Sequence, residues 1–154
     1  MKTLPTHPHA RAQLMAEFAG FPALLEEDAI PASSAASPGE GEWGVAEIVR
    51  HLIAVESEVH QRRQADVATL HDPQWTWTEP GQAPGYDDAT LEEILAAFAA
   101  ARAQTVATVN ALDETGWHRT GTHATYGVLD VEGLIRLAID HDEDHLASIR
   151  ALGV

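Results

Sequence analysis

A chain of 154 residues with a formal net charge of −15 and no cysteine fits a single domain, 1–154, large enough to bury a core. It cannot form a disulfide, a thiolate metal ligand or a cysteine nucleophile of its own. Nine Lys and Arg against 24 Asp and Glu argue against nucleic acid and anionic membranes as partners, because phosphate binding draws on clustered cations.

In chain order, residues 8–28 open on Pro8 near a helix start. They carry Leu14, Met15, Phe18, Leu24 and Leu25 at helical spacing, so an amphipathic helix bent or broken at Pro22 is expected. The histidines and prolines before it interrupt any secretory signal, and no run approaches about 18 apolar residues. A cytoplasmic location follows as the expectation. PASSAASPGEGE, residues 31–42, reads as a loop of turn formers.

From Trp43 to Leu70 the apolar residues Val45, Ile48, Leu52, Val55 and Val59 recur at helical spacing, predicting a long second helix. Residues 71–88 hold three prolines, two glycines and the pair Trp75 and Trp77. They predict a long loop that either covers a pocket or plugs the end of a bundle. Thr90 and Glu93 form a capping box ahead of a third helix, 91–112. Residues 113–129 are a glycine-containing connection. Asp130 then caps a fourth helix, 131–152, stopped by Gly153. Four long helices with little strand signal give an all-α four-helix bundle of antiparallel type with long connections.

His141 and His145 are four apart and share one face of the last helix. Leu134, Leu137, Ala138, Ile149 and Leu152 fall within roughly a quadrant of the same direction at about 100° per residue, so both imidazoles face the core. Buried imidazole nitrogens need a metal ion or hydrogen bonds to compensate lost water, and the pair can chelate one ion. His51 lies at the border of the apolar face of the second helix, where a ligand and a solvated histidine are both open. Glu47 and Glu58 share that border as candidate ligands or proton acceptors. Asp142 falls on the apolar side among Asp140, Glu143 and Asp144, where it could orient an imidazole through its second nitrogen. His7, His9, His60 and His71 receive no role.

EWGVAEIVRHLIAVE (42–56), WHRTGTHATYG (117–127) and LIRLAIDHDEDHLASI (134–149) resemble, in that order, the three signature stretches of the DinB-like superfamily, the DinB/YfiT-like metalloenzymes. The resemblance implies up-down-down-up connectivity, a dimer, and nickel or zinc held by three histidines, here His51, His141 and His145. It also implies a link to low-molecular-weight thiols, which members such as bacillithiol transferases use. Ser148 stands where relatives often have Gln, and the Trp75–Trp77 loop has no counterpart.

Three neutral imidazoles leave a position open on a zinc-like ion, the arrangement of a catalytic site. The expected function is a metal-dependent S-transferase whose thiol comes from a co-substrate. A hydrolase using metal-bound water, or a non-catalytic stress protein binding a metal or small ligand, stands as the alternative. Glu58 and Asp142 are the expected proton carriers, and Trp117, Arg119, His123 and Tyr126 are candidates for the mouth.

Overall fold

Leu14, Phe18, Phe21, Leu25 and Ala29, spaced by three and four, form the buried stripe of α1 (Arg11–Ala32). The computed structural model describes residues 2, 4, 10–34 and 38–153; Pro8, His7 and His9 lie outside them. α1 runs unbroken through Pro22 and on past Pro31, where the sequence suggested a break and then a loop. A proline inside a helix leaves the carbonyl four residues earlier without its donor. For Pro22 that carbonyl belongs to Phe18, and Arg102 Nη1 donates to it at 2.8 Å. Leu24, expected in the core, is exposed.

The second rod consists of α2 (Val45–Val55), a π-helical segment (Glu56–Gln61) and α3 (Arg62–Thr69), with right-handed helical backbone at each junction. Glu47 starts it by accepting from the Gly44 N–H at 3.1 Å. The wider π turn shifts the phase of everything beyond it. α4 (Leu91–Asn110) is capped by Thr90 Oγ1, which accepts from the Glu93 N–H at 3.2 Å. α6 (Val131–Leu152) is capped by Asp130 Oδ1 on the Gly133 N–H at 2.8 Å and ends at Gly153.

Contacts fix how the rods run. Phe18 and Phe21 of α1 meet Arg102 and Phe98 of α4, so these two are antiparallel. His51 meets His145 and His60 meets His141, so the second rod is antiparallel to α6. Asp28 bonds Arg150 and Ala32 touches Gly153, so α1 and α6 are parallel. Val49 and Ile53 share a core cluster with Ile94 and Phe98, while Val67 shares another with Val109, so the second rod and α4 are parallel too. The connectivity is therefore up-down-down-up, and consecutive rods one and two lie across a diagonal.

Two apolar clusters fill the bundle, one around Phe21, Leu52, Phe98 and Ile149, the other around Leu14, Val67, Val109 and Ile135. Between them lies a buried polar layer. Arg102 donates to Glu56 at 2.8 Å and, in bidentate fashion, to Asp142 at 2.9 and 3.0 Å, and Thr105 donates to Glu56 at 2.8 Å.

The sequence carried little strand signal, yet a small three-stranded sheet closes one end. β1 (Gln74–Trp75) pairs in parallel with β2 (Thr120–His123), which follows the one-turn helix α5 (Glu114–Trp117) and forms a hairpin with β3 (Gly127–Asp130). Gly121 is required there, since a Cβ at that position would sit 2.3 Å from the Trp75 indole. Among the described residues no helix is long and apolar enough to cross a membrane.

Candidate metal centre

One helical turn on α6 sets His141 and His145 with their Nε2 atoms 3.1 Å apart. Two nitrogens on one ion at bond lengths of about 2.0–2.1 Å sit roughly 3.0–3.4 Å from each other, depending on the angle. Burial pushes the His141 imidazole down to about 3, with His145, His51 and Arg102 adding to the effect. His145 is pushed down as well, by burial first and then by His51. Both rings are therefore neutral at pH 7 and able to offer lone pairs.

His51 completes the group. Its ring is fully buried, 4.8 Å from that of His145 and 5.7 Å from that of His141, and the candidate ligand atoms of all three lie within 4.8 Å of one another. His51 Nδ1 lies 3.1 Å from the Gly81 carbonyl, which can only accept, so Nδ1 carries the proton. Nε2 is left as a bare lone pair, buried with no hydrogen-bond partner among the described residues. That orphaned acceptor is what a ligand to a cation looks like before the cation arrives. Sequence alone left His51 on the border of the apolar face; the fold buries it because Trp43 packs on its ring at 4.8 Å and the loop covers its other edge.

The loop splits the two tryptophans between the two roles considered for them. Trp75 is buried and bonded to Asp66 at 3.1 Å, closing the bundle end. Trp77 is half-exposed, its ring 6.0 Å from His141, and its Nε1 donates to Glu79 Oε2 at 2.8 Å. The other oxygen of Glu79 comes within 3.6 Å of His51 Nε2. Glu79 was invisible in the sequence, where it was one acid in a proline-rich loop.

Beside the histidines lies a cleft of about 320 Å³, lined by Trp77, His60, Arg63, His123, Tyr126 and His141 among others. His60, given no role from sequence, has a buried Nε2 with no partner and a ring 5.9 Å from that of His141. Burial, then the charge of Arg102, holds it well below the ordinary histidine range. His60 also groups with His141 and Asp142, but both oxygens of Asp142 are taken by Arg102. Arg63 is buried and its guanidinium is pushed down by burial. His123 accepts the Thr125 and Tyr126 N–H groups on Nδ1 at 2.9 and 3.3 Å. Its proton is therefore on Nε2. Another depression, about 620 Å³, is an open groove along the alanine-rich face between α1 and α4 and bears none of these imidazoles.

The two expected proton carriers are placed differently. Glu58 is exposed on the outer face of the π turn, and the buried carboxylate is Glu56, two residues earlier. Asp142 is buried and pushed up to about 7 by burial, against the pull of Arg102, to which it is tied. Among the described residues its hydrogen bonds go to the guanidinium and none to an imidazole. Of the residues considered for the mouth, His123 and Tyr126 line the cleft. Trp117 instead packs under Arg11, and Arg119 donates to the Val67 and Leu70 carbonyls.

An up-down-down-up bundle with three inward histidines from two rods defines a class of helical proteins with a candidate metal centre. The chain belongs to the DinB superfamily, whose pattern matches residues 9–149. Its fold is similar to that of YfiT from Bacillus subtilis, described as a probable metal-dependent hydrolase with an unusual four-helix bundle topology. The two share 19% identity and a TM-score of 0.72, over 96% of this chain and 90% of that one. No curated protein matches the sequence.

Proposed function

We propose that this chain is a metal-dependent enzyme in which His51, His141 and His145 hold nickel or zinc and the attacking group is a low-molecular-weight thiol from solution. The observation that carries this reading is the convergence of three imidazoles from two rods on one point, with His51 Nε2 buried and unpartnered, beside a cleft of organic-molecule size. Imidazole nitrogen suits both metals. The ion, when bound, supplies Lewis acidity and lowers the pKa of a coordinating nucleophile. A thiol fits a chain with no cysteine of its own and the thiol chemistry of other superfamily members.

The protein's own groups prepare the site. The Gly81 carbonyl fixes the tautomer of His51 and aims Nε2 inward. Trp77 covers the cleft side of His141 and steers Glu79. Glu79 Oε1, 3.6 Å from His51 Nε2, is the acceptor for the proton released by the nucleophile, in place of Glu58 and Asp142. A hydrolytic reading, with water as nucleophile, is favoured by the likeness to YfiT.

The test begins with elemental analysis of protein purified without a histidine tag. Less than about 0.2 metal per chain, together with unchanged melting on chelation, rejects the centre. Bacillithiol, mycothiol and glutathione are then each offered with a reactive electrophile. Conjugation lost in His141→Ala supports the transferase, and conjugation unchanged in that variant rejects it. Ester hydrolysis lost in His141→Ala without any conjugation moves the assignment to hydrolase. Neither activity leaves a non-catalytic metal-binding protein.

A further inference from the structure

Arg63 is anomalous in a chain of net charge −15. It is 8% exposed, yet among the described residues no carboxylate or carbonyl bonds it, and burial pushes its guanidinium down. Four other arginines are met by acceptors. Arg102 has two carboxylates, Arg11 has Glu114, Arg150 has Asp28, and Arg119 has two backbone carbonyls. A guanidinium stays charged in proteins, and its N–H groups must be met by water or by a ligand. Arg63 lines the wall of an open cleft, so its N–H groups are available to whatever enters there.

The surroundings indicate what that is. Arg63 lines the cleft beside the three imidazoles, together with His60, His123 and Tyr126. His123 keeps its proton on Nε2, so it is a neutral donor there, and the positive charge of Arg63 helps keep both His60 and His123 uncharged. The cleft thus contains one fixed buried cation and a neutral N–H donor at the same end. Its rim adds Lys2 beside Asp140 and Asp144, so the rim is acidic on balance and disfavours a doubly charged anion more than a singly charged one. A planar carboxylate matches the guanidinium fork in two parallel hydrogen bonds and brings one negative charge only. The apolar walls of the cleft, Val59, Leu137 and Trp77, suit the rest of an organic acid.

We infer that the cleft binds an organic monocarboxylate, its carboxylate on Arg63 with His123 as second donor, its body along Trp77 toward His141. This deepens the enzyme proposed above by naming its substrate class. It rests on that reading only for where the reacting bond lies, and the binding itself needs no ion.

The experiment therefore uses protein stripped with a chelator, so that a carboxylate cannot bind through a metal. Intrinsic tryptophan fluorescence is titrated with benzoate, phenylacetate, 3-phenylpropionate and 4-phenylbutyrate, each beside its primary amide, and with inorganic phosphate. At least one acid should bind tenfold or more tightly than its amide. That preference should vanish in Arg63→Met and be partly kept in Arg63→Lys. Amides binding as well as acids at every length, or phosphate binding more tightly than every acid, overturns the inference in the wild-type protein alone. An acid preference unchanged in folded Arg63→Met overturns it as well. Failure here leaves the metal analysis and conjugation assays standing, and failure of those leaves this binding test standing.

Discussion

Arg102 and Arg63 are both buried arginines facing the interior, and they are treated in opposite ways. Arg102 donates to Glu56, Asp142 and the Phe18 carbonyl and stacks 4.1 Å over the Phe18 ring. Arg63 has none of these and faces a cleft. A cation wrapped in carboxylates serves the fold; one left bare at a cavity wall serves what enters the cavity. The lesson is that burial alone does not separate structural from functional charge, and the partner list does.

The largest effect expected from breaking this contrast is on stability. Arg102→Met strands Glu56 and Asp142 in the core and should cost about 3–5 kcal/mol in urea unfolding. Arg63→Met should be close to neutral or stabilising, since it removes a charge without a partner. Equal losses in the two variants would erase the distinction.

The next effect is ligand linkage. Nickel or zinc at a hundredfold excess over its Kd should stabilise the protein by about 2.7 kcal/mol. The gain should disappear in His51→Ala and persist in Arg63→Met, as read by calorimetric melting with and without chelator.

A smaller effect is protonic. His123 is pushed down by burial and then by Arg63, so below the unfolded value of about 6.5 the folded state binds fewer protons than the unfolded state. Stability from this group is full above that pH and is lost as pH falls below it. Arg63→Met should move the His123 titration toward its ordinary value, followed by NMR of the ring protons, and narrow the acid window. An unmoved titration would mean that the arginine does not act on the cleft electrostatically. The smallest effect is expected from Glu58→Gln, within about 0.5 kcal/mol of wild type and with unchanged metal content, because its side chain is exposed.

How much of this was legible in the chain depended on phase. Thr90 and Asp130 announced their helices by cap chemistry, and both accept the expected backbone N–H. The inward direction of His141 followed from an undistorted 3.6-residue wheel. The π turn has no such signature. It sends Glu56 inward and Glu58 outward and brings His60 against His141, so an ideal wheel pointed to Glu58 where the fold buries Glu56, and passed over an imidazole. The strands were missed because four residues such as Thr120–His123, with a glycine required by a distant indole, carry too little alternation to register. α1 outran Pro22 because a partner 84 residues away in sequence supplies the missing donor, which no local rule can see.

The single ring of His51 has two clients. One nitrogen holds the Gly81 carbonyl and thereby anchors the loop that carries Trp77 and Glu79; the other is turned to the candidate centre. Rotating that ring disturbs both ends at once, so cargo and cover are leashed together. Nicking by chymotrypsin at Trp77 or Tyr86 should then slow as the centre fills, making the loop a built-in gauge of occupancy.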